Sequence, residues 1–225
     1  MAEATAIVDE AAGQGVAARL LGGVGVVIHC GAAHRDPEDI DLAVAGRDVR
    51  ALAAVLAERG YEPNARFNAM HGDTRNIFHG PGGKVDVFVG AFTMCHRLDL
   101  EGRLAVDTPT LSVADLVLTK LQIVELTEKD SADLSALLDA HELGSGRGDV
   151  IDGERIASVL ADDWGYWRTA TGTLDRVAAA RPALRDRVTA LRARIDAEPK
   201  TRRFKMRARI GERRRWYELP ENVDT

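Results

Sequence analysis

The chain has 225 residues, which at roughly 150 residues per domain allows one large domain or a domain with an appendage. A composition of 45% hydrophobic and 29% charged residues excludes a disordered or fibrous chain, and a chain this long needs no disulfide or metal staple to close its core. The net charge of −5 is unevenly spread: the last 45 residues carry 14 Lys and Arg against 7 Asp and Glu, so a basic tail follows an acidic body. Such a tail is either an arm facing phosphate or nucleic acid, or a helix with a solvated charged face. The apolar run Val24 to Ile28 is far short of a membrane span. The opening residues are acidic and lack the basic n-region and apolar core of a signal peptide. Cys30 and Cys95 are too few for a disulfide framework and show no metal-ligand spacing. The expected location is the cytoplasm, with no membrane partner.

In chain order, a short strand between Ala17 and Gly23 runs into Gly22-Gly23. The next segment, VGVVIHCGAA, fits a strand by its β-branched residues and a helix by its place after a Gly-Gly turn. DIDLAVAG reads as a buried strand, and RDVRALAAVLAERGY as an amphipathic helix closed by Gly60. FNAMHGDTRNIFHG and KVDVFVGAF read as strands separated by a turn at Pro81 to Gly83. Ser112 to Leu143 is mostly one long helical pattern, with Ser112 as a possible N-cap and Asp115 at N3. LGSGRGD, Leu143 to Asp149, is the most loop-like stretch and a joint between an α/β body and a helical tail. Strands and helices that alternate and then give way to helices predict an α/β (α+β) body with a C-terminal helical subdomain.

The most informative residues are in EDIDLAV. On a strand, positions i and i+2 share a face, so Asp39 and Asp41 project together while Ile40, Leu42 and Val44 enter an apolar layer. Two adjacent carboxylates repel, and a divalent cation is the usual way to hold both ionised. Asp86 stands in an otherwise apolar strand, which tolerates it only if it is paired, hydrogen-bonded or metal-bound. If the two strands are neighbours, Asp39, Asp41 and Asp86 make a cup for one or two Mg²⁺ ions, which take carboxylates together with substrate phosphates. The alternative is an exposed D-x-D at a strand end and an Asp at a hairpin turn. Gly22 and Gly23 let backbone approach a phosphate closely, and a helix starting there aims its N–H groups at the anion. Gly-Gly is equally a plain turn. Arg35 is either a phosphate fork or an exposed loop arginine.

Gly22-Gly23, a spacer through Arg35, Asp39-Ile40-Asp41 and then Asp86 resemble the signature of the nucleotidyltransferase superfamily. The form GG…HR…DIDL, followed by TKLQIVELTEKDSADL, is similar to the abortive-infection-type nucleotidyltransferase toxins and their aminoglycoside-modifying relatives. In that group a helical Lys is followed by a K/R-D-x-x-D-L element, matched here by Lys120 and Lys129 to Leu134. The resemblance covers about residues 17–140, and the spacer 24–38 is longer than in the smallest members, which favours the toxin-like or aminoglycoside branch. It implies a mixed sheet flanked by helices and a catalytic domain over residues 1–145; the mostly helical subdomain over 150–225 is read instead from the helical periodicity of RIASVLADDWGYW and LRARIDAE and from the tail aromatics Trp164, Tyr166, Trp167, Trp216 and Tyr217. It also implies transfer of a nucleoside monophosphate from an NTP to an acceptor hydroxyl, with Mg²⁺ or Mn²⁺ as cofactor and pyrophosphate released. Asp39 and Asp41 would bind metal, Asp86 would be third ligand or base, and Lys120 would contact the triphosphate. Gly22, Gly23 and Arg35 would cradle nucleotide, and Asp130 or Asp133 would orient Lys120 or support the acceptor. The acceptor is a tRNA end, an aminoglycoside-type antibiotic, a protein or a small metabolite, and a cognate antitoxin is a possible partner. On an unbroken helix Asp130 and Asp133 lie roughly 280° and 220° from Lys120, so a break near Thr127 to Ser131 is required to bring them together.

Other residues carry weaker signals. The six histidines His29, His34, His71, His79, His96 and His141 show no ligand spacing. His71 and Arg75 would share a strand face. Cys95-His96 would point apart on a strand. RRRWYELPE pairs arginines with Trp216 and Tyr217, a combination that stacks nucleobases or docks the C-terminus. Against the enzyme stands a catalytically idle protein of the same fold, acting as a nucleotide-binding or regulatory module.

Overall fold

The patterns I-D-L-A-V and K-V-D-V-F-V become neighbouring strands of one sheet. The computed structural model describes residues 1–31 and 37–219. By internal contacts the chain divides into two units, Met1–Phe92 with Leu98–Ser112, and Thr93–Arg97 with the chain from Val113. Arg35 and His34 lie outside the described residues.

The first unit runs α1 (Ala2–Gly13), β1 (Arg19–Leu21), α2 (Gly22–Cys30), β2 (Ile40–Val44), α3 (Val49–Glu58), β3 (Glu62–Pro63), α4 (Ala65–His71), β4 (Arg75–Gly80) and β5 (Gly83–Val89). Among the described residues these strands form a sheet in the order β1-β2-β5-β4-β3, with β2 and β5 parallel and the other pairs antiparallel. The period-two alternation sends Ile40, Leu42, Val44, Val85 and Val87 to one face, where they are buried with Ile7 and Val8 of α1 and Leu52 and Leu56 of α3. Each such aliphatic side chain contributes about 1.5–3 kcal/mol when fully buried. Helix α3 forms where Leu52, Val55 and Leu56 recur at helical spacing, and the chain leaves it at Gly60, whose φ of +80° suits glycine. Helix α1 buries Ala4, Ile7, Val8 and Ala11, which recur at helical spacing, and is tied down by Glu3 and Glu10. Their carboxylates take Arg59 at 2.7 and 2.8 Å.

VGVVIHC, which the sequence leaves open between strand and helix, is helical. One segment departs from the sequence pattern. The expected strand from Phe67 is interrupted: Asn64 caps α4 by accepting the Phe67 N–H at 3.1 Å, so Phe67 to His71 is helix and the strand begins only at Arg75. His71 and Arg75 therefore do not share a strand face.

In the chain from one unit to the other and back lie two short paired strands, β6 (Ala91–Thr93) and β7 (Arg97–Asp99). The second unit then holds α5 (Val113–Leu121), α6 (Glu128–Ala140), β8 (Leu143–Gly144), β9 (Ile151–Asp152), α7 (Gly153–Asp162), α8 (Trp164–Ala180), α9 (Arg185–Ala197) and α10 (Arg202–Ile210). The long helical pattern breaks after Leu121, and Thr127 starts the next helix by accepting the Asp130 N–H at 3.1 Å. Helix α5 belongs to this unit. Its fully buried Asp115 takes Arg155 Nε at 3.0 Å, and the Leu118 carbonyl accepts the Tyr166 hydroxyl at 2.5 Å. The chain passes between the units at Phe92–Thr93, Arg97–Leu98 and Ser112–Val113, and Leu143–Asp149 lies within the second unit. As far as residue 219 the basic tail packs on α7 and α8. Trp167 meets Phe204 edge-on at 5.6 Å, and Trp216 Nε1 donates to Thr169 Oγ1 at 3.2 Å. A Cβ at Gly165 would come within 2.6 Å of the Trp216 carbonyl oxygen, so only glycine lets the tail backbone lie that close.

Candidate functional site

Parallel pairing of β2 with β5 places Asp41 directly opposite Asp86. Neighbouring strands are about 4.8 Å apart, so the two carboxylates rise side by side from one face of the sheet. Asp39 lies in the bend just before β2, and Lys84 Nζ, in reach of both Asp39 and Asp86, shows that the Asp39 carboxylate comes to the same place. Asp86 is 2% exposed while the Asp39 side chain is 43% exposed, so the cluster grades from buried to open.

Gly22 completes the wall. Its φ is +59°, and a Cβ there would stand 1.9 Å from Asp41 Oδ2. Glycine is required both by the backbone and by the carboxylate lodged against it. Gly22 also begins α2, so the carboxylate of Asp41 lies at the positive end of a helix dipole. Gly23 is buried in the first turn of the same helix.

Two cations outside the sequence motif stand among these carboxylates. Lys84 Nζ lies 2.9 Å from Asp39 Oδ2 and 3.2 Å from Asp86 Oδ2. Arg75 holds the other oxygen of Asp86 through Nε and Nη2, each at 2.9 Å, with its guanidinium 5.8 Å from the Phe67 ring centre and 5.2 Å from that of Phe88. Burial alone would lower the pKa of the Lys84 ammonium. The hydrogen bond to Asp39 and the charge of Asp86 outweigh it and hold the value above that of an ordinary lysine. Both partners were legible in principle. Lys84 is two residues from Asp86 on the same strand, and the hairpin pairs Ile77 with Asp86, which puts Arg75 two residues away on the shared face.

The donor set suits a hard divalent cation: three carboxylates beside a helix N-terminus that tolerates close approach of phosphate. Among the described residues the three do not draw their oxygens within 4.8 Å of one another, and Lys84 is seated between two of them. Asp39 and Asp86 fit as metal ligands once Lys84 turns outward, and Asp41 stands in register with Asp86 beside them.

The Lys120 element is a second cluster, contained in the second unit. The break after Leu121 brings together what an unbroken helix would separate. Lys120 Nζ lies 3.0 Å from Asp130 Oδ1 and 2.7 Å from Asp133 Oδ2. Asp133 is fully buried and Lys120 nearly so. Thr127 adds its hydroxyl to Asp130 Oδ2 at 2.7 Å. The break falls at residues 122–127, just before the expected stretch. Among the histidines, His29 contacts Thr110 Oγ1 at 2.8 Å and His96 contacts Thr169 Oγ1 at 2.8 Å. No helix among the described residues is long and apolar enough to cross a membrane.

No protein-family model and no curated protein matches the chain. Among solved structures it is similar to the antibiotic-resistance factor ANT(2'')-Ia, an aminoglycoside nucleotidyltransferase, at 14% identity and a TM-score of 0.42, covering 83% of this chain and 91% of that one. It is also similar to an antigenic nucleotidyltransferase-like protein from Paracoccidioides brasiliensis, at 14% identity and a TM-score of 0.45, covering 89% of this chain and 93% of that one. At such identity the chemistry of this chain has to be argued from its own side chains.

Proposed function

We propose that this chain is a metal-dependent nucleotidyltransferase that moves a nucleoside monophosphate from an NTP to an acceptor hydroxyl. The observation that carries this reading is the in-register pair Asp41 and Asp86, with Asp39 brought to the same place and Gly22 pressed against Asp41. Asp39 and Asp41 would hold Mg²⁺ or Mn²⁺. When bound, the cation neutralises phosphate charge and stabilises the charge that develops during transfer. In the transfer the acceptor oxygen bonds to the α-phosphorus, the bond to the bridging oxygen breaks, and pyrophosphate leaves. Asp86 would take the acceptor proton or complete the ligand set. The first turn of α2 would direct N–H groups at the triphosphate. Lys120 as a triphosphate contact rests on the sequence resemblance, as does the choice among tRNA, aminoglycoside and protein acceptors.

A second reading is a catalytically idle nucleotide-binding or regulatory module. The position of Lys84 favours it, since an ammonium bridging Asp39 and Asp86 does electrostatically what a metal would do.

Calorimetry separates the two. Mg²⁺-dependent NTP binding that disappears in an Asp39→Ala, Asp41→Ala double variant supports the metal site, and equal binding by both proteins removes it. Labelled NTPs incubated with total tRNA, an aminoglycoside panel and the protein itself then read out transfer. An active protein loses transfer in Asp41→Asn with its fold intact.

A further inference from the structure

The basic tail takes no part in the chemistry of the carboxylates, yet it is an ordered surface. Helix α10 buries Phe204 and turns Arg202, Lys205 and Arg209 to solvent at spacings of three and four residues, which places them along one helical face. Arg213 and Arg214 continue the run and are also exposed. No hydrogen bond or ion pair within the described residues engages these five side chains, whereas neighbouring Arg203 reaches Asp162 and Asp163.

The run leads directly into Trp216. That residue is docked through Thr169, but it also lines an open cavity of about 250 Å³ with Val124, Arg168, Thr169, Gly172 and Arg176. The Arg168 guanidinium lies 5.9 Å from the indole ring centre, and Arg215 lies 4.7 Å from the ring centre of Tyr217. The cavity is walled by an indole, two guanidiniums and a hydroxyl around room for one planar ring system. Arg168 is paired with Glu212 Oε1 at 2.6 Å, Arg176 donates to the Val124 carbonyl and to Thr173 Oγ1, and Thr169 Oγ1 is taken by His96 and Trp216, so the indole is the group it offers.

We propose that this surface binds a single-stranded polynucleotide, with phosphates on the exposed cations of α10 and Arg213–Arg214 and an unpaired base in the cavity beside Trp216. A cationic track leading to an aromatic platform is the combination single strands require, because the track follows the backbone and every base has a face to stack. A duplex keeps its bases stacked on each other and leaves the platform unused. A lipid surface is the poorer occupant. The main apolar side chain of α10, Phe204, is buried, and only Met206 and Ile210 remain exposed on it. This surface lies wholly in the second unit, and the proposal stands whether or not the carboxylates of the first unit bind metal.

The test uses the full chain and fluorescein-labelled oligonucleotides of mixed sequence in anisotropy titrations across a salt series. Single-stranded RNA or DNA should bind with an affinity that falls as salt rises. In the Arg209→Ser, Arg213→Ser, Arg214→Ser variant the slope of log affinity on log salt should fall by about 2, at about 0.7 for each phosphate left without its cation. RNA and DNA arms identify the sugar, and a stronger RNA signal assigns contacts to the 2′-hydroxyl. Trp216→Phe keeps an aromatic ring and should retain most binding, while Trp216→Ala should weaken it about fivefold or more. If circular dichroism shows Trp216→Ala unfolded, quenching of tryptophan emission by the oligonucleotide in the parent chain replaces it as the readout of stacking. No binding at low salt, an unchanged slope in the triple variant, tighter binding of duplex than single strand, or binding of anionic vesicles alone would each overturn the proposal.

Discussion

Lys84 Nζ sits 2.9 Å from Asp39 Oδ2, so a carboxylate proposed to hold a divalent cation already holds a monovalent one. The two cations compete for the same oxygens. Lys84→Met, which keeps the length of the stem and removes the charge, should therefore raise Mg²⁺ and Mn²⁺ affinity several-fold in calorimetry. Wild-type affinity in the variant would show that Lys84 is only a surface ion pair. The sign with pH follows from the raised pKa of Lys84. The folded state holds its proton more tightly than the unfolded chain, so the ion pair contributes its full stability below the ordinary lysine value and loses it as pH rises through the raised one.

Gly22→Ala tests the wall of the site against a matched control. Gly22 and Gly15 both have positive φ, at +59° and +77°, but a Cβ at Gly15 meets nothing within 4 Å. Gly15→Ala should cost only the backbone strain of about 1–2 kcal/mol. Gly22→Ala adds a collision with the Asp41 carboxylate and should cost more, while displacing Asp41 and abolishing divalent binding. Urea midpoints of the two variants give the comparison, and equal losses would mean that Asp41 yields freely.

The site was legible where one local rule sufficed. The alternation of IDLAV put Asp41 on the face away from the apolar layer, although Asp39 proves to lie in the bend before β2, and the lone Asp86 in an apolar strand announced a partner. Its actual partners needed two further steps, the face shared with Lys84 and the hairpin register that brings Arg75 across. The sheet, the α3 helix and its Gly60 stop followed from periodicity. The helix at Phe67 to His71 did not, because its decisive signal is one side-chain cap, Asn64, inside a segment rich in strand formers. The break between α5 and α6 is a requirement of the Lys120 cluster, although periodicity runs straight through it. The joint between the units was not legible at all. Nothing in the residues around Ser112 marks a boundary, and α5 joins the second unit through contacts such as Asp115 with Arg155, forty positions apart in sequence.

Lys120→Met should destabilise the fold by about 3–5 kcal/mol, because it strips the lysine from a fully buried Asp133. Adding Asp133→Leu to it should recover much of that loss, since a buried pair replaced by apolar groups can come close to neutral. Guanidinium unfolding of both single variants and the double closes the cycle. A double variant as unstable as the sum of the singles would show that the two residues do not act as a pair.

Acid should weaken the second unit through His96. Its ring is 7% exposed, stacks on Tyr166 with centroids 5.2 Å apart, and contacts Thr169 Oγ1 at 2.8 Å. Burial pushes its pKa down to about 4 from an ordinary 6.5, against the smaller opposing pull of Asp163. Between those values the unfolded chain binds a proton that the folded chain refuses, so falling pH favours unfolding. The neutral histidine's contribution is complete above about pH 6.5 and is lost as pH falls toward 4. At about 1.4 kcal/mol per pH unit, going from pH 7 to pH 5 should remove about 2 kcal/mol. Other groups titrate in the same range, so the decisive comparison is with His96→Gln, whose side chain does not titrate and can still hydrogen-bond to Thr169. Urea unfolding at pH 7 and pH 5 should show the parent losing about 2 kcal/mol more than the variant. Equal losses would mean that His96 is protonated in the folded chain and that its burial costs nothing in acid.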